Sequence, residues 1–306
     1  MLLRTLFFGT STFAVPSLRV AAERTQVVAV VTQPDRPAGR GQKLTPSPVK
    51  ATALELGLRV YEPQRLKPFA SELAGEAFDA FALASYGKIL PQELLDFPKV
   101  GALNVHPSLL PKYRGATPIQ TALRNGDAAT GVSIMLMDAG MDTGDVVLQE
   151  RIAIAPDDDY GSLHDRLAEH GARLLGDAFD LARQGSLPRT PQAGESSATR
   201  PIGKADLEIA WTWTAKQIVD HVRAYSPQPC ARATLLGESV KVVRAAIATD
   251  IVSPAPPGTL LGVRDRVALV QSGSGVVAID EVIAPNRGPA GGAEYVRSRE
   301  RNGNAT

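Results

Sequence analysis

The sequence predicts an α/β protein, with an open, largely parallel sheet in its first half and a small β-barrel domain after it. Three observations carry that reading. Short apolar runs alternate with helix-like segments through the first half of the chain. Residues 160–183 hold one long helical stripe. From Gln184 to Lys204 the composition turns to Pro, Gly, Ser and Thr without apolar periodicity, and strand candidates follow at short intervals.

Leu2 to Phe8 is a short apolar run that ends at Gly9, as a buried strand does. Residues 12–23 then read as a helix, with Ser11 or Thr12 as its candidate N-cap. Gln26–Val31, Phe78–Ala84 and Val100–Val105 are the next strand candidates, and Thr130–Met137 and Gly144–Ile154 form a later pair. Helix candidates lie between them at 47–57, 66–76 and 117–125. In the long helix, Leu163, Leu167, Leu174, Ala178 and Leu181 share one face, so it docks on the sheet. Past the linker, Ile209–Trp213 reads as a strand and Ala215–Tyr225 as a helix. Strand candidates follow at 232–236, 239–247, 258–263, 266–271 and 275–284. The expected division is a first domain over 1–188, a linker over 189–206 and a second domain over 207–306.

Composition narrows the function. The chain has 306 residues, enough for two domains, and 44% of them are hydrophobic, which supplies a sizeable core in at least one. Its net charge is only +1. Residues 189–306 carry 14 Lys and Arg against 11 Asp and Glu, and residues 1–188 carry 19 against 21. The near balance argues against a general electrostatic binder of nucleic acid, and the slight asymmetry alone implies none, while a local basic face stays open. One cysteine, Cys230, can form neither an internal disulfide nor a zinc cluster, which fits a reducing compartment. MLLRTLFFGT is too short in its apolar run for a signal peptide, and no run of 18 apolar residues occurs. The expectation is a soluble cytoplasmic protein with no membrane association.

Four stretches are candidates for chemistry. FFGTSTFAVPSL places one glycine, Gly9, where a dinucleotide fingerprint needs three, so it reads as a plain βα turn. TQPDRPAGRGQKLTPSPVK is a long connection, too polar and too rich in Pro and Gly to be a strand. It holds Arg36, Arg40, Lys43 and Lys50 with only Asp35 opposing, a set suited to phosphate oxygens or to a solvated loop. NVHPSLLPKYRGATPIQ puts Asn104 and His106 two apart at a strand's end, on one face, where ligands bind in open α/β sheets. An Asn amide there can donate to an oxygen that gains negative charge, and a His can donate or pass a proton. Pro107 and Pro111 stiffen the loop that follows.

The fourth stretch, MDAGMDTGD, offers three carboxylates between two strands. It reads as a hairpin loop or as the source of an acid that orients His106. Asn, His and Asp together suit acyl transfer in which the attacking group, such as an amine, belongs to the substrate. No nucleophile-elbow serine is present, and Cys230 lies in the other domain. His164, His170 and His221 are isolated, so no metal site is expected.

TQPDRPAGRG, YGKILP, NVHPSLLPKYRGATPI and MDTGD stand in the order and spacing of the methionyl-tRNA formyltransferases. The chain resembles that family over residues 2–188, and more thinly beyond, where PPGTLL is among the better pieces. Ser11 stands where the family commonly has Pro, and Pro107 where Gly or Ala is common. The resemblance implies a Rossmann-like formyltransferase domain followed by an OB-like barrel. It implies transfer of formyl from 10-formyltetrahydrofolate to the α-amino group of methionine on initiator tRNA, by a monomer that needs no metal. Asn104, His106 and Asp142 would occupy the catalytic positions. Ser108, Leu109, Leu110 and Pro111 would match the folate-binding segment, with Tyr86, Gly87, Ile89 and Leu90 beside the pterin. Arg36, Arg40 and Lys43 would grip the acceptor stem, Arg40 foremost. Two rivals are a folate-dependent formyltransferase acting on a nucleotide sugar or glycinamide ribonucleotide, and a tRNA-binding module without activity. The second domain and the basic loop count against the first, and the intact Asn, His and Asp against the second.

Overall fold

The structure is a computed structural model that describes residues 1–38, 43–73 and 75–303. The chain divides into two compact units. One comprises Met1–Gly115, Thr130–Ala153 and His164–Thr199, and the other Ala116–Ala129, Ile154–Leu163 and Arg200–Thr306.

In chain order the elements through the first half are β1 (Arg4–Gly9), α1 (Ala14–Arg24), β2 (Gln26–Val31), β3 (Arg36–Ala38), β4 (Lys43–Thr45), α2 (Pro48–Glu55), β5 (Val60–Tyr61), α3 (Leu66–Glu72) and β6 (Ala80–Ala84). There follow α4 (Gln92–Leu95), β7 (Gly101–His106), β8 (Arg114–Gly115), α5 (Pro118–Arg124), β9 (Ala129–Leu136), β10 (Val146–Ala153), α6 (Tyr160–Arg183) and β11 (Ala198–Thr199). The main sheet runs β10-β9-β7-β6-β1-β2-β5. Strands β5, β2, β1, β6 and β7 pair in parallel, and β9 joins β7 antiparallel. Leu6, Phe7 and Phe8 are fully buried, as is expected of a strand covered on both faces. On one face Phe8 meets Phe81 and Tyr86 at 5.3 and 5.4 Å between ring centroids. The stripe of α6 buries Leu163, Leu167, Leu174 and Ala178 as its spacing predicts. A Cβ at Gly171 of α6 would stand 2.5 Å from Val105 Cγ1, so only glycine allows this approach of helix to strand.

The second unit adds a short 3₁₀ turn (Lys204–Leu207), α7 (Ala215–Tyr225), β12 (Ala231–Leu235), β13 (Glu238–Ala248), β14 (Leu260–Arg264), β15 (Val267–Gln271), β16 (Val276–Ile283), β17 (Pro289–Gly291) and α8 (Gly292–Gly303). Its antiparallel sheet runs β12-β13-β16-β15-β14, with β17 on β16. Register shifts in β13 bend it around a core that includes Ile218, Val222, Tyr225, Val242, Val270 and Ile279. Thr214 and Gln217 form a capping box at the start of α7. A largely parallel α/β sheet followed by a smaller β domain is thus the arrangement that the sequence predicts.

Several local expectations need correction. Ile209–Trp213 is not a strand; the backbone near it makes only single bridges, Glu208 to Arg232 and Thr214 to Ser274. Neither Ser11 nor Thr12 caps α1 with its side chain; the cap position is Phe13, and the carbonyls of Ser11 and Thr12 receive the first N–H groups of the helix. The polar stretch after β2 is not strand-free, because β3 and β4 pair as a hairpin within it. Among the described residues no helix is long and apolar enough to cross a membrane.

Candidate active site

Strand β7 lies between β6 and β9, with Asn104 beside Leu83 on one flank and Met135 on the other. Because Val105 points to α6, Asn104 and His106 point to the opposite face. They stand at the carboxyl end of the parallel sheet, together with Gly9 and Ala84 at the ends of β1 and β6. Asn104 is half-buried, and among the described residues its side chain makes no hydrogen bond. A half-buried amide without a protein partner is an available donor.

His106 is the opposite case. It is 4% exposed, and both ring nitrogens face acceptors. Nε2 lies 3.0 Å from the carbonyl oxygen of Tyr113, and Nδ1 lies 3.5 Å from Asp142 Oδ2. Only an imidazolium would satisfy both sides, yet burial disfavours the charge. Burial pulls the His106 pKa below its ordinary value, while the Asp142 carboxylate and the Tyr113 carbonyl pull it back up. Burial prevails and favours the neutral ring, whose Nε2–H the Tyr113 carbonyl can accept. The gap to Asp142, too long for a hydrogen bond, becomes a charge-assisted one when a proton reaches Nδ1.

Asp142 sits in the loop after β9 with φ +54°, a left-handed conformation that Asp tolerates better than most residues. Its Oδ2 accepts the Gly115 N–H at 2.7 Å. Gly115 has φ +103°, and a Cβ there would stand 2.4 Å from the Thr199 carbonyl oxygen, so the position demands glycine.

The other predicted residues fall into two groups. Ser108 and Leu110 are buried and satisfied within the protein. Ser108 Oγ donates to the Lys112 carbonyl oxygen and Leu110 N–H donates to Ser133 Oγ. Leu109 packs against Gly131, and the Pro111 carbonyl oxygen accepts the Ser197 N–H. The loop 108–111 therefore offers shape rather than free side-chain donors. Around Tyr86, Ser85 and Gly87 have φ +42° and +77°. The Tyr86 carbonyl accepts from Thr10 Oγ1 and Gln33 Nε2, and burial raises its phenol pKa to about 12. Among the described residues nothing hydrogen-bonds to the backbone of Gly87, Ile89 or Leu90, and Ile89 is 80% exposed. Leu90 is buried.

Arg36 and Lys43 are exposed, and the hairpin register places them on one face. Arg40 lies outside the described residues. Lys50 does not join them, because it pairs with Asp35 and Glu62 at 2.8 Å each. Asp35 is thus not the only acid facing these cations. Among the described residues no group of three or more His, Cys, Asp or Glu could hold a metal ion. Cys230 is buried with its thiol pKa raised by burial, which makes it a poor nucleophile. Sequence reasoning missed Tyr113, Gly115, Gln192 and Ser197, whose bonds hold His106 and Asp142; only Gly115, a glycine directly after Tyr113 and Arg114, carried a signal.

Residues 3–179 match the formyl transferase family and residues 201–300 its C-terminal domain. The chain belongs to the formyl transferase family. Among its relatives is the methionyl-tRNA formyltransferase of Xanthomonas axonopodis pv. citri, 44% identical over 302 residues, which cover 97% of this chain and 98% of that protein. The methionyl-tRNA formyltransferase of Pelotomaculum thermopropionicum is 43% identical over 283 residues, 92% of this chain and 90% of that one. Among solved structures, HypX from Aquifex aeolicus in complex with tetrahydrofolic acid superposes with a TM-score of 0.66 at 19% identity. That match covers 97% of this chain and 47% of HypX, so the chain spans about half of that larger protein. An N-formyltransferase from Helicobacter canadensis, in complex with folinic acid and dTDP-3-aminofucose, gives a TM-score of 0.68 at 17% identity over 90% of this chain and 98% of that one. These two likenesses show the formyltransferase fold.

Proposed function

We propose that this formyltransferase moves the formyl group of 10-formyltetrahydrofolate to the α-amino group of methionyl initiator tRNA in the cytoplasm. The observation that carries the chemistry is the Asn104 amide, unpartnered among the described residues, two residues from the buried His106–Asp142 pair. Such a site stabilises an addition; it does not attack. The folate supplies a formyl carbon that an amine can attack. Asn104 donates to the oxygen as it gains negative charge. The His106–Asp142 pair takes the proton that the attacking amine must lose, and the Tyr113 carbonyl keeps the ring oriented meanwhile. The proton ends on the nitrogen of the departing folate, so the reaction is balanced without a metal.

The fit of the donor rests on the open backbone of Gly87, Ile89 and Leu90 and on the exposed Ile89 side chain, which suit a flat, hydrogen-bonding ring. Loop 108–111 gives that ring a wall. The choice of a tRNA acceptor rests on the relatives named above and on the hairpin whose Arg36 and Lys43 share a face. In this reading residues 1–188 carry the chemistry, 189–206 form the connection and 207–306 assist in holding the tRNA. The protein acts as a monomer, which a concentration-independent sedimentation coefficient tests.

The functional test offers methionyl initiator tRNA, methionyl elongator tRNA and an amino-sugar nucleotide in parallel with labelled donor. Selective labelling of the initiator supports the proposal. Labelling of the small amine alone keeps the chemistry and removes the tRNA.

A further inference from the structure

The stretch 189–199 looks like spacer in the sequence, yet it binds back over the catalytic residues. Gln192 is its centre. Its Nε2 donates to the carbonyl oxygens of Asp142 and Gly144, each at 2.8 Å. Its Oε1 accepts from Arg114 Nη2 at 2.7 Å and Nε at 3.1 Å. Arg114 adjoins Gly115, whose N–H meets Asp142 Oδ2. One amide therefore ties down both ends of the hydrogen bond that aims the carboxylate.

Ser197 does the same for the histidine. Its Oγ accepts the Tyr113 N–H at 2.9 Å, and its carbonyl accepts the Arg114 N–H at 2.8 Å. The Tyr113 carbonyl is the group that faces His106 Nε2. Tyr113 has φ +60° and Asp142 φ +54°. Left-handed backbone at residues bearing a Cβ persists when outside contacts impose it, and Gln192 and Ser197 supply those contacts.

We propose that Gln192 and Ser197 are positioning residues of the reaction, Gln192 acting through Asp142 and Ser197 through Tyr113 and His106. The inference rests on the formyl-transfer reading above. A side chain that sets carboxylate position without touching substrate leaves binding intact and alters the rate. Misplacement by about 1 Å costs on the order of 10²-fold.

The experiment uses the full chain. Gln192→Ala, Ser197→Ala, Asp142→Ala and the Gln192→Ala/Asp142→Ala double variant are compared with the wild type in steady-state formyl transfer, each after a thermal melt. Gln192→Glu keeps the side-chain length and the Arg114 contact but loses the N–H donors, and serves if Gln192→Ala does not fold. Gln192→Ala is expected to lower kcat by on the order of 10²-fold with both KM values within about twofold. The acid limb of its pH profile moves to lower pH, because a displaced Asp142 no longer supports the protonated ring. The double variant loses no more than Asp142→Ala alone. Ser197→Ala lowers kcat with KM unchanged. Losses that multiply in the double variant, or a Gln192→Glu enzyme with full kcat, overturn the inference. A wild type that transfers formyl while the Gln192 variants match it overturns the inference and leaves the functional reading standing. Titration of the His106 ring by NMR reads the same coupling without substrate. It shifts to lower pH in Gln192→Ala, and an unmoved titration also overturns the inference.

Discussion

Replacing Asp142 by Asn keeps the shape of the side chain and removes its charge. The carboxylate stands 3.5 Å from His106 Nδ1. At that separation, with an effective dielectric of about 20, Coulomb's law gives an attraction of roughly 5 kcal/mol for a protonated ring. The neutral resting ring gains little of it. In the proposed reaction the stabilisation appears as the proton arrives, which is when it would speed the transfer. An Asn dipole retains part of it, so kcat should fall by roughly three orders of magnitude at about 1.4 kcal/mol per decade. Both KM values should change little, since the carboxylate is engaged by the Gly115 N–H and faces His106. The acid limb should move to lower pH, because the pull that Asp142 exerts on the His106 pKa is lost and only the Tyr113 carbonyl still opposes burial. Steady-state transfer from labelled donor across pH reads all three quantities. A fall of less than about tenfold, or a loss carried by KM, would refute the assignment of the carboxylate to proton transfer.

Asn104→Ala removes the free donor and should cost about 10²–10³-fold in kcat with KM preserved, measured under the same conditions. Gly115→Ala places a Cβ 2.4 Å from the Thr199 carbonyl oxygen in left-handed backbone. It should destabilise the fold by roughly 1–3 kcal/mol from the backbone alone, read by urea denaturation. Arg36→Ala and Lys43→Ala should each weaken tRNA binding and reduce the slope of log K against log salt by about 1, with no change in folate affinity; unchanged slopes would remove the hairpin from the RNA site. Burial lowers the pKa of both His106 and His221 in the folded protein. The unfolded chain therefore binds more protons as pH falls below about 6.5, so stability is full above that value and declines beneath it. The urea midpoint should drop on acidification, and less steeply in a His106→Asn/His221→Asn variant.

Much of this was legible in the sequence for simple reasons. Buried parallel strands need unbroken apolar runs, and FFG, VVAVV and FALA are such runs. The long helix declared itself by its leucines. Asn104 and His106 were readable because strand geometry fixes where residues two apart point. Ile209–Trp213 misled because its alternating apolar residues fit a strand, while its neighbours let it make only isolated bridges. The helix α8 passed unnoticed because it buries little beyond Ala293, Tyr295 and Val296 amid charged residues. Gln192 and Ser197 gave no signal at all. Their partners lie 50 and 84 residues away, and a Pro-, Gly- and Ser-rich stretch looks the same whether it is a spacer or a clamp.

In the proposed reaction Asn104 and His106 carry formyl transfer to the amine of methionyl initiator tRNA. A single turnover with saturating enzyme, labelled donor and methionyl initiator tRNA tests it, comparing the wild type with Asn104→Ala/His106→Ala. The wild type is expected to form formylmethionyl-tRNA rapidly, and the double variant to bind both substrates but form almost no product. A double variant that forms product at the wild-type rate would contradict it.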